Sequence, residues 1–380
     1  MNTNVLFVGG GTLGSVTPLL AVAEATQRKF QIPDSRFQIL FLGTRRGPER
    51  AIVEAAGIPF RAIPAGKLRR YWDLRNLLDV FVIAWAFVVA LSLLLRRRPD
   101  VVAGAGSFVQ VPVMWAAWVL RIPIVIHQLD VRPSLANRLV APLATSITAV
   151  FSGSAHAFGR RTVEIIGNPI RSHILSARTI NAREAKRRFG FSGDRPVLLV
   201  IGGGTGAQSL NELVWSSLPL LTPHTDVLHV TGRGKSHSKF SAYGGSAVGG
   251  QIPDSRFSHN YRSFELLTDD LPYAYAAANL VVARAGMGTI TELTAIGKPM
   301  ALVPMPGTHQ EENAAAVAAA GAGLAWDERG LTPEVFAVRT QELLADTKYQ
   351  QTLARACAAF ATPGATDRFV AVLRADAQPH

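Results

Sequence analysis

The sequence predicts an α/β protein of two Rossmann-like domains facing across a cleft, with a C-terminal helix returning to the first domain. Three observations predict it. Short apolar, β-branched runs alternate with longer Ala/Leu-rich segments, the pattern of a parallel sheet covered by helices. The alternation comes in two series of similar length and order. Each series opens alike: Phe7-Val8-Gly9-Gly10-Gly11-Thr12 resembles Val200-Ile201-Gly202-Gly203-Gly204-Thr205, a strand entering a glycine turn and then a helix.

Taken in order, the first series predicts strands at Asn4–Val8, Phe37–Leu42, Val101–Ala103, Ile124–His127 and Ser146–Val150. The second predicts Val197–Ile201, Val227–Val230, Leu280–Ala283 and Met300–Val303. The turn-rich Gly167-Asn168-Pro169 places the divide, giving a first domain over 1–166 and a second over 167–345. Residues 346–380 read as the returning helix, broken at Pro363-Gly364. Residues 232–262, rich in Gly, Ser and cations without apolar periodicity, read as a mobile surface loop.

Composition narrows the class. At 380 residues the chain can bury two cores, and 48% hydrophobic against 17% charged residues excludes a disordered chain. The single cysteine, Cys357, cannot pair internally and reads as a buried structural thiol on a helix. The chain enters the apolar run Val5–Val8 almost at once, whereas a signal peptide needs a basic leader and a longer apolar core, so a cytosolic protein is expected.

The net charge of +12 fits nucleic acid, anionic lipid or a phosphorylated substrate. Zinc-finger spacing and aromatic RNA-binding signatures are absent from the sequence, and the cations do not gather in one tail, so no nucleic-acid partner is expected. They gather beside an apolar run instead. Val80–Leu95, interrupted by Ser92, is followed by Arg96-Arg97-Arg98 and preceded by Arg61, Lys67, Arg69, Arg70 and Arg75. The run is shorter than the roughly 20 residues of a spanning helix, so a core helix accounts for most of it. Insertion of part of it, with Val80 and Trp85, at an anionic membrane surface accounts for the cations as well.

The loop Gly9–Gly14 satisfies G-x-G-x-x-G after a strand, which lets backbone N–H groups approach a phosphate. A dinucleotide site also needs an acid ending the second strand, and that strand ends Leu42-Gly43-Thr44-Arg45-Arg46. NADP stays open through the arginines, as does a turn that needs glycine for packing alone. The more informative stretch is Arg284–Glu292: its glycines precede a helix whose N-terminus can face a diphosphate, and Glu292 can accept two ribose hydroxyls or stabilise the helix dipole. Asp130, following a strand C-terminus, can serve as a base or cap the helix beginning near Pro133.

Several ordered motifs together resemble the MurG family of peptidoglycan N-acetylglucosaminyltransferases over most of the chain. Gly10–Pro18 corresponds to G-G-T-G-G-H-V-x-P, Gly104–Val109 to a second glycine loop, and His127–Asp130 to H-E-Q-N. Gly167–Arg171 matches G-N-P-V-R, Gly202–Ala207 parallels G-G-S-Q-G-A with Asn211 following, Arg284–Glu292 matches R-[SA]-G-A-x-T-x-x-E, and Gln310–Ala314 matches Q-x-x-N-A. The resemblance implies an inverting GT-B enzyme with no metal and no cofactor, moving GlcNAc from UDP-GlcNAc to the undecaprenyl-diphosphate-linked acceptor lipid I, giving lipid II at the cytoplasmic face of a bacterial membrane. It implies donor contacts from Arg171, Gly204, Thr205, Thr268, Met287, Gly288, Thr289, Glu292, His309 and Gln310, and acceptor contacts from Thr12, Leu13, Gly14, Gly104, Gly106 and Ser107.

The sequence departs from the pattern where catalysis is expected. The histidine after the first loop is Ser15, and H-E-Q-N has lost its Glu and gained Asp130. A serine without a partner is a poor base, so Asp130 is the expected catalytic carboxylate with Ser15 beside it; alternatively Ser15 only hydrogen-bonds locally. Another GT-B enzyme (one with a different lipid acceptor, or a UDP-GlcNAc 2-epimerase) and a non-catalytic UDP-sugar-binding protein remain as alternatives.

Overall fold

The computed structural model describes residues 3–29, 37–66, 75–203, 206–235 and 259–378, with side chains on the first helix described to Gln27 and on the helix beginning at Arg75 from Val80. The chain divides into two units, 1–171 with 362–380, and 172–361. The first holds β1 (Thr3–Val8), α1 (Thr17–Lys29), β2 (Phe37–Gly43), α2 (Glu49–Ala55), β3 (Phe60–Ala62), α3 (Arg75–Arg97), β4 (Val101–Gly104), α4 (Gln110–Val119), β5 (Ile124–Gln128), α5 (Leu135–Val140), β6 (Ser146–Ala149) and β7 (Val163–Ile165). The second holds α6 (Ala182–Arg188), β8 (Val197–Ile201), α7 (Gln208–Leu221), β9 (Asp226–Val230), β10 (Tyr261–Phe264), α8 (Leu271–Ala277), β11 (Leu280–Ala283) and α9 (Met287–Ile296). It continues through β12 (Met300–Leu302), α10 (His309–Ala319), β13 (Leu324–Ala325), α11 (Pro333–Ala345) and α12 (Thr347–Phe360). The last helix, α13 (Ala365–Asp376), belongs to the first unit.

Both sheets are parallel, ordered β3-β2-β1-β4-β5-β6-β7 and β10-β9-β8-β11-β12-β13. In each, the opening strand of the series sits where the order reverses, the switch point at which α/β sheets bind ligands beyond the strand C-termini. The central strands are buried on both faces, which is why they read as continuous apolar runs. Each unit closes its own core, one around Leu6, Val102, Met114 and Ile126, the other around Leu198, Val214, Tyr261 and Phe336.

Three expectations change. The break between units falls after Arg171, not 166, because 166–171 is fastened to the end of the first unit: Arg368 donates to the Ile166 carbonyl at 2.8 Å and Gly167 lies against Thr362. The C-terminal segment does not return whole. Helix α12 stays in the second unit, where the buried Cys357 thiol donates to the Ala322 carbonyl at 2.7 Å, and burial pushes that thiol up to about 12. Only α13, after the turn at Gly364, packs on the first unit, with Phe369 edge-on to His127. Residues 232–262 are not wholly loop, since Tyr261–Phe264 pairs with β9 and buries Tyr261. Residues 236–258 lie outside the described residues.

Helix α3 is the fourth difference. Its 23 residues give about 35 Å at 1.5 Å per residue, long and apolar enough to cross a membrane by length and composition. Its core-facing side is narrow, with Ala86, Ala90, Leu93 and Leu94 buried, so the reading of a mostly buried core helix does not hold. Phe81 is 68% exposed and Trp85 61%, with Val80 and Val88 exposed beside them. Trp118 on the adjoining α4 and Leu135 and Leu139 on α5 are exposed as well, and Arg96, Arg97 and Arg98 at the end of α3 are solvated. Arg75 starts α3, while Lys67, Arg69 and Arg70 lie outside the described residues.

Candidate functional site

In the first unit, the loops after β1, β4 and β5 leave the C-terminal ends of adjacent strands. A feature with no motif in the sequence joins the loop after β1 to the one after β2. Glu49, the first residue of α2, is wholly buried and accepts from Thr44 N at 2.7 Å, Thr44 Oγ1 at 2.5 Å and Gly11 N at 3.3 Å. A Cβ on Gly10 or Gly47 would collide with its carboxylate, so those glycines give room to an acid as well as to any phosphate. The chain thus carries an acid shortly after the second strand, but it is enclosed by the loops and turned to scaffold, which closes the dinucleotide reading. Nothing in the sequence signals this, because Gly10 and Gly47 flank Glu49 only once the fold brings them together.

A buried polar chain continues from there. Ser107 Oγ donates to Gly10 O at 2.9 Å and accepts from Val109 N. Gln110 Oε1 accepts from Gly106 N at 2.9 Å, its amide donates to Asn137 Oδ1 at 2.6 Å, and Asn137 donates to His127 O at 3.0 Å and Gln128 Oε1 at 2.7 Å. Gln128 in turn donates to the Asp130 carbonyl at 2.7 Å. Of the six residues expected to meet the acceptor, Gly104 is buried, while the Gly106 N–H and Ser107 hydroxyl are committed to this chain. They shape the loop rather than face outward. Thr12, Leu13 and Gly14 form the accessible turn.

Asp130 stands at the end of this chain, half-buried, just beyond β5. It does not cap the next helix: Ser134 does, accepting from Asn137 N at 3.1 Å. Ser15 is buried with an Oγ that meets no hydrogen-bond partner, so the local hydrogen bond expected of it is not made among the described residues. His127 is fully buried against Thr148 Oγ1 at 2.9 Å; burial holds it down at about 3, opposed by the Asn168 side chain, so it is a neutral structural imidazole. Arg171 is the last residue of the first unit's main segment, its guanidinium on Glu24 at 2.7 Å.

In the second unit the donor signature builds a helix N-terminus. Gly286 is the extended N-cap of α9, and Met287, Gly288 and Thr289 are its first three residues, whose N–H groups have no intrahelical acceptor. Asn313 on α10 fixes the turn by donating to the Ala285 carbonyl at 3.1 Å. Glu292 lies beyond the first turn of α9, so it is not the dipole-stabilising acid of a first turn; it follows Thr289 at helical spacing and accepts from the Tyr275 hydroxyl at 2.6 Å. Arg284 is 4% exposed and clamps Glu328 in both directions at 2.8 and 2.7 Å, with Ser209 at 2.8 Å, so the arginine of the signature supports the strand end instead of facing solvent. The same contacts from Arg284 and Ser209 outweigh the burial penalty on Glu328 and hold its carboxyl below the usual range.

Thr308 caps α10, which begins at His309; Gln310 Oε1 accepts from Met305 N at 3.1 Å, leaving its amide N–H groups to donate. Thr268 is exposed in the turn between β10 and α8. Gly204 and Thr205 lie outside the described residues. On the far side of their loop, a Cβ on Gly206 would collide with the Thr231 carbonyl. That carbonyl also accepts from Asn211 at 2.9 Å, and Asn211 meets the buried His229 at 3.0 Å. His229 is held down at about 3 by burial. Among the described residues no group of three or more His, Cys, Asp or Glu is gathered for a metal.

Residues 5–149 match the glycosyltransferase family 28 N-terminal domain, and residues 197–369 the glycosyltransferase family 28 C-terminal domain. A UDP-N-acetylglucosamine–N-acetylmuramyl-(pentapeptide) pyrophosphoryl-undecaprenol N-acetylglucosamine transferase of Legionella pneumophila is 32% identical over 99% of this chain and 98% of its own. One of the same name from Shouchella clausii is 36% identical over 89% and 90%. In structure, MurG of Acinetobacter baumannii superposes with a TM-score of 0.71 at 24% identity, covering 98% and 99% of the two chains. A UDP-GlcNAc 2-epimerase of Neisseria meningitidis reaches 0.67 at 15% identity over 99% and 100%. The structural likenesses carry the GT-B fold, and the sequence relatives carry the family. The chain belongs to glycosyltransferase family 28 and, within it, to the MurG family of N-acetylglucosaminyltransferases.

Proposed function

We propose that the protein transfers GlcNAc from UDP-GlcNAc to the muramyl sugar of undecaprenyl-diphosphate-MurNAc-pentapeptide, with inversion at the transferred carbon. The observation that carries this is the glycine-turned N-terminus of α9, with Thr289 in its first turn and Glu292 after it. Its amide groups and dipole suit the donor diphosphate, both as bound and as the charge grows on the departing UDP. Glu292 suits the ribose hydroxyls. His309 and Gln310, at the start of α10, suit the sugar and diphosphate; the Gln310 amide donates to a sugar hydroxyl.

In the first unit, the Thr12–Gly14 turn suits the acceptor diphosphate. Asp130 takes the proton of the acceptor hydroxyl as its oxygen attacks the GlcNAc anomeric carbon; the bond to the diphosphate oxygen breaks, and UDP leaves with the electron pair. The Gln110–Asn137–Gln128 chain supports this role by holding the Asp130 backbone. Ser15 Oγ meets no hydrogen-bond partner among the described residues that could activate it, and it is the weaker candidate. The exposed face of α3, α4 and α5, with Phe81, Trp85, Trp118 and Leu135, supports peripheral attachment to the cytoplasmic face of a membrane, where Arg96–Arg98 meet anionic headgroups. An epimerase acting on a soluble sugar nucleotide has no need of such a face.

The test is to incubate the protein with UDP-GlcNAc and a lipid I analogue and follow UDP release together with disaccharide formation. Turnover is expected, and Asp130→Asn should lower kcat by about 10²–10⁴ with UDP affinity unchanged. Near-normal turnover of Asp130→Asn with an unaltered pH profile would remove Asp130 as the base. UDP binding without any disaccharide would remove the transferase reading itself.

A further inference from the structure

Tyr275 lies on α8, a helix that none of the ordered motifs includes. It is among the largest fully buried side chains in the molecule, yet its hydroxyl reaches across to α9 and donates to Glu292 Oε2 at 2.6 Å. Burial first, and the Glu292 carboxylate second, hold the phenol well above the usual tyrosine range, so it is a protonated donor at neutral pH. A buried phenol needs a partner, and a short bond to a carboxylate is among the strongest it can make.

From the carboxylate's side the contact does something further. Glu292 is half-exposed on α9, and a glutamate there loses rotamer freedom when it engages a ligand. A rigid donor anchored in the core removes part of that cost beforehand, which is how supporting residues preorganise a binding group. Asn313 acts similarly ahead of the helix, on the Ala285 carbonyl just before the N-cap. We propose that Tyr275 is a positioning residue for ribose recognition: through its bond to Glu292 it presets the carboxylate that selects a nucleotide with intact ribose hydroxyls. This rests on the reading of Glu292 as the ribose acceptor.

The experiment is calorimetric titration of the full chain with UDP and with 2′-deoxy-UDP, for the wild type, Tyr275→Phe, Glu292→Gln and the double variant. Wild type should prefer UDP. Tyr275→Phe, which keeps the ring and its packing, should weaken UDP by about 10-fold while 2′-deoxy-UDP changes less than about twofold. The ratio of the two affinities does not depend on the fraction of protein that is folded, so a destabilised variant still reports. In the Glu292→Gln background the tyrosine substitution should add nothing to the ratio. An unchanged UDP preference in Tyr275→Phe, or equal weakening of both nucleotides, overturns the proposal and leaves Tyr275 a packing residue. If Glu292→Gln also keeps the wild-type preference, or the wild type has none, the reading of Glu292 falls too.

Discussion

Replacing Glu49 with Gln keeps the volume of the side chain and removes the charge that three donors converge on. The amide oxygen can still accept from Thr44 N and Oγ1, but as a neutral group, at a loss of about 1 kcal/mol for each bond. The amide nitrogen then faces the Gly11 N–H, donor against donor, which costs about 1 kcal/mol more because the bond given up is a long one at 3.3 Å. Relief from burying a charge offsets part of this, leaving about 2–3 kcal/mol. For a domain of this size that is a fall in melting temperature of about 5–10 °C. Thermal unfolding, with probes in each unit since two units need not melt together, measures it. The Gly9–Gly14 loop should loosen with it, so KM for the lipid acceptor should rise while UDP affinity, which the proposed donor site sets in the second unit, holds. A Glu49→Gln protein that melts within about 1 °C of wild type and keeps its acceptor KM would refute the reasoning.

Acid should destabilise both units through their buried imidazoles. His127 and His229 sit at about 3 folded against 6.5 free, so the unfolded chain binds protons that the folded chain excludes between those values. Their contribution is complete above pH 6.5 and is lost as pH falls toward 3, at about 1.4 kcal/mol per pH unit for each histidine. Urea unfolding across pH 5–7 should show this slope, and His229→Gln should flatten it in the second unit alone; an unchanged slope would mean His229 is protonated in the fold. On the membrane face, Phe81→Ser with Trp85→Ser should remove about 3 kcal/mol or more of insertion energy and lower partitioning onto anionic vesicles by about 100-fold or more. UDP binding should be unaffected, and vesicle cosedimentation that survives both changes would place the lipid contact elsewhere.

The amino-acid sequence by itself determined the doubly repeated parallel architecture and the helix N-terminus at Gly286. Strands buried on both faces announce themselves as apolar runs, and glycine turns after them announce helix starts, because both demands act within a few residues of chain. All four strands that the sequence did not disclose, Phe60–Ala62, Val163–Ile165, Tyr261–Phe264 and Leu324–Ala325, are the edges of the two sheets. An edge strand pairs on one side only and is short, so its formation depends on a neighbour already in place. Tertiary structure decided the rest. It turned the outer side of α3 to solvent, a choice that a sixteen-residue run broken only by Ser92 cannot reveal because either face of the helix could have been buried. It put Glu49 against Gly11, 38 residues away, Asn137 between the second glycine loop and Asp130, and Tyr275 beneath Glu292. Those contacts join side chains whose separation along the chain carries no period, and only the packed sheets bring them within hydrogen-bond reach.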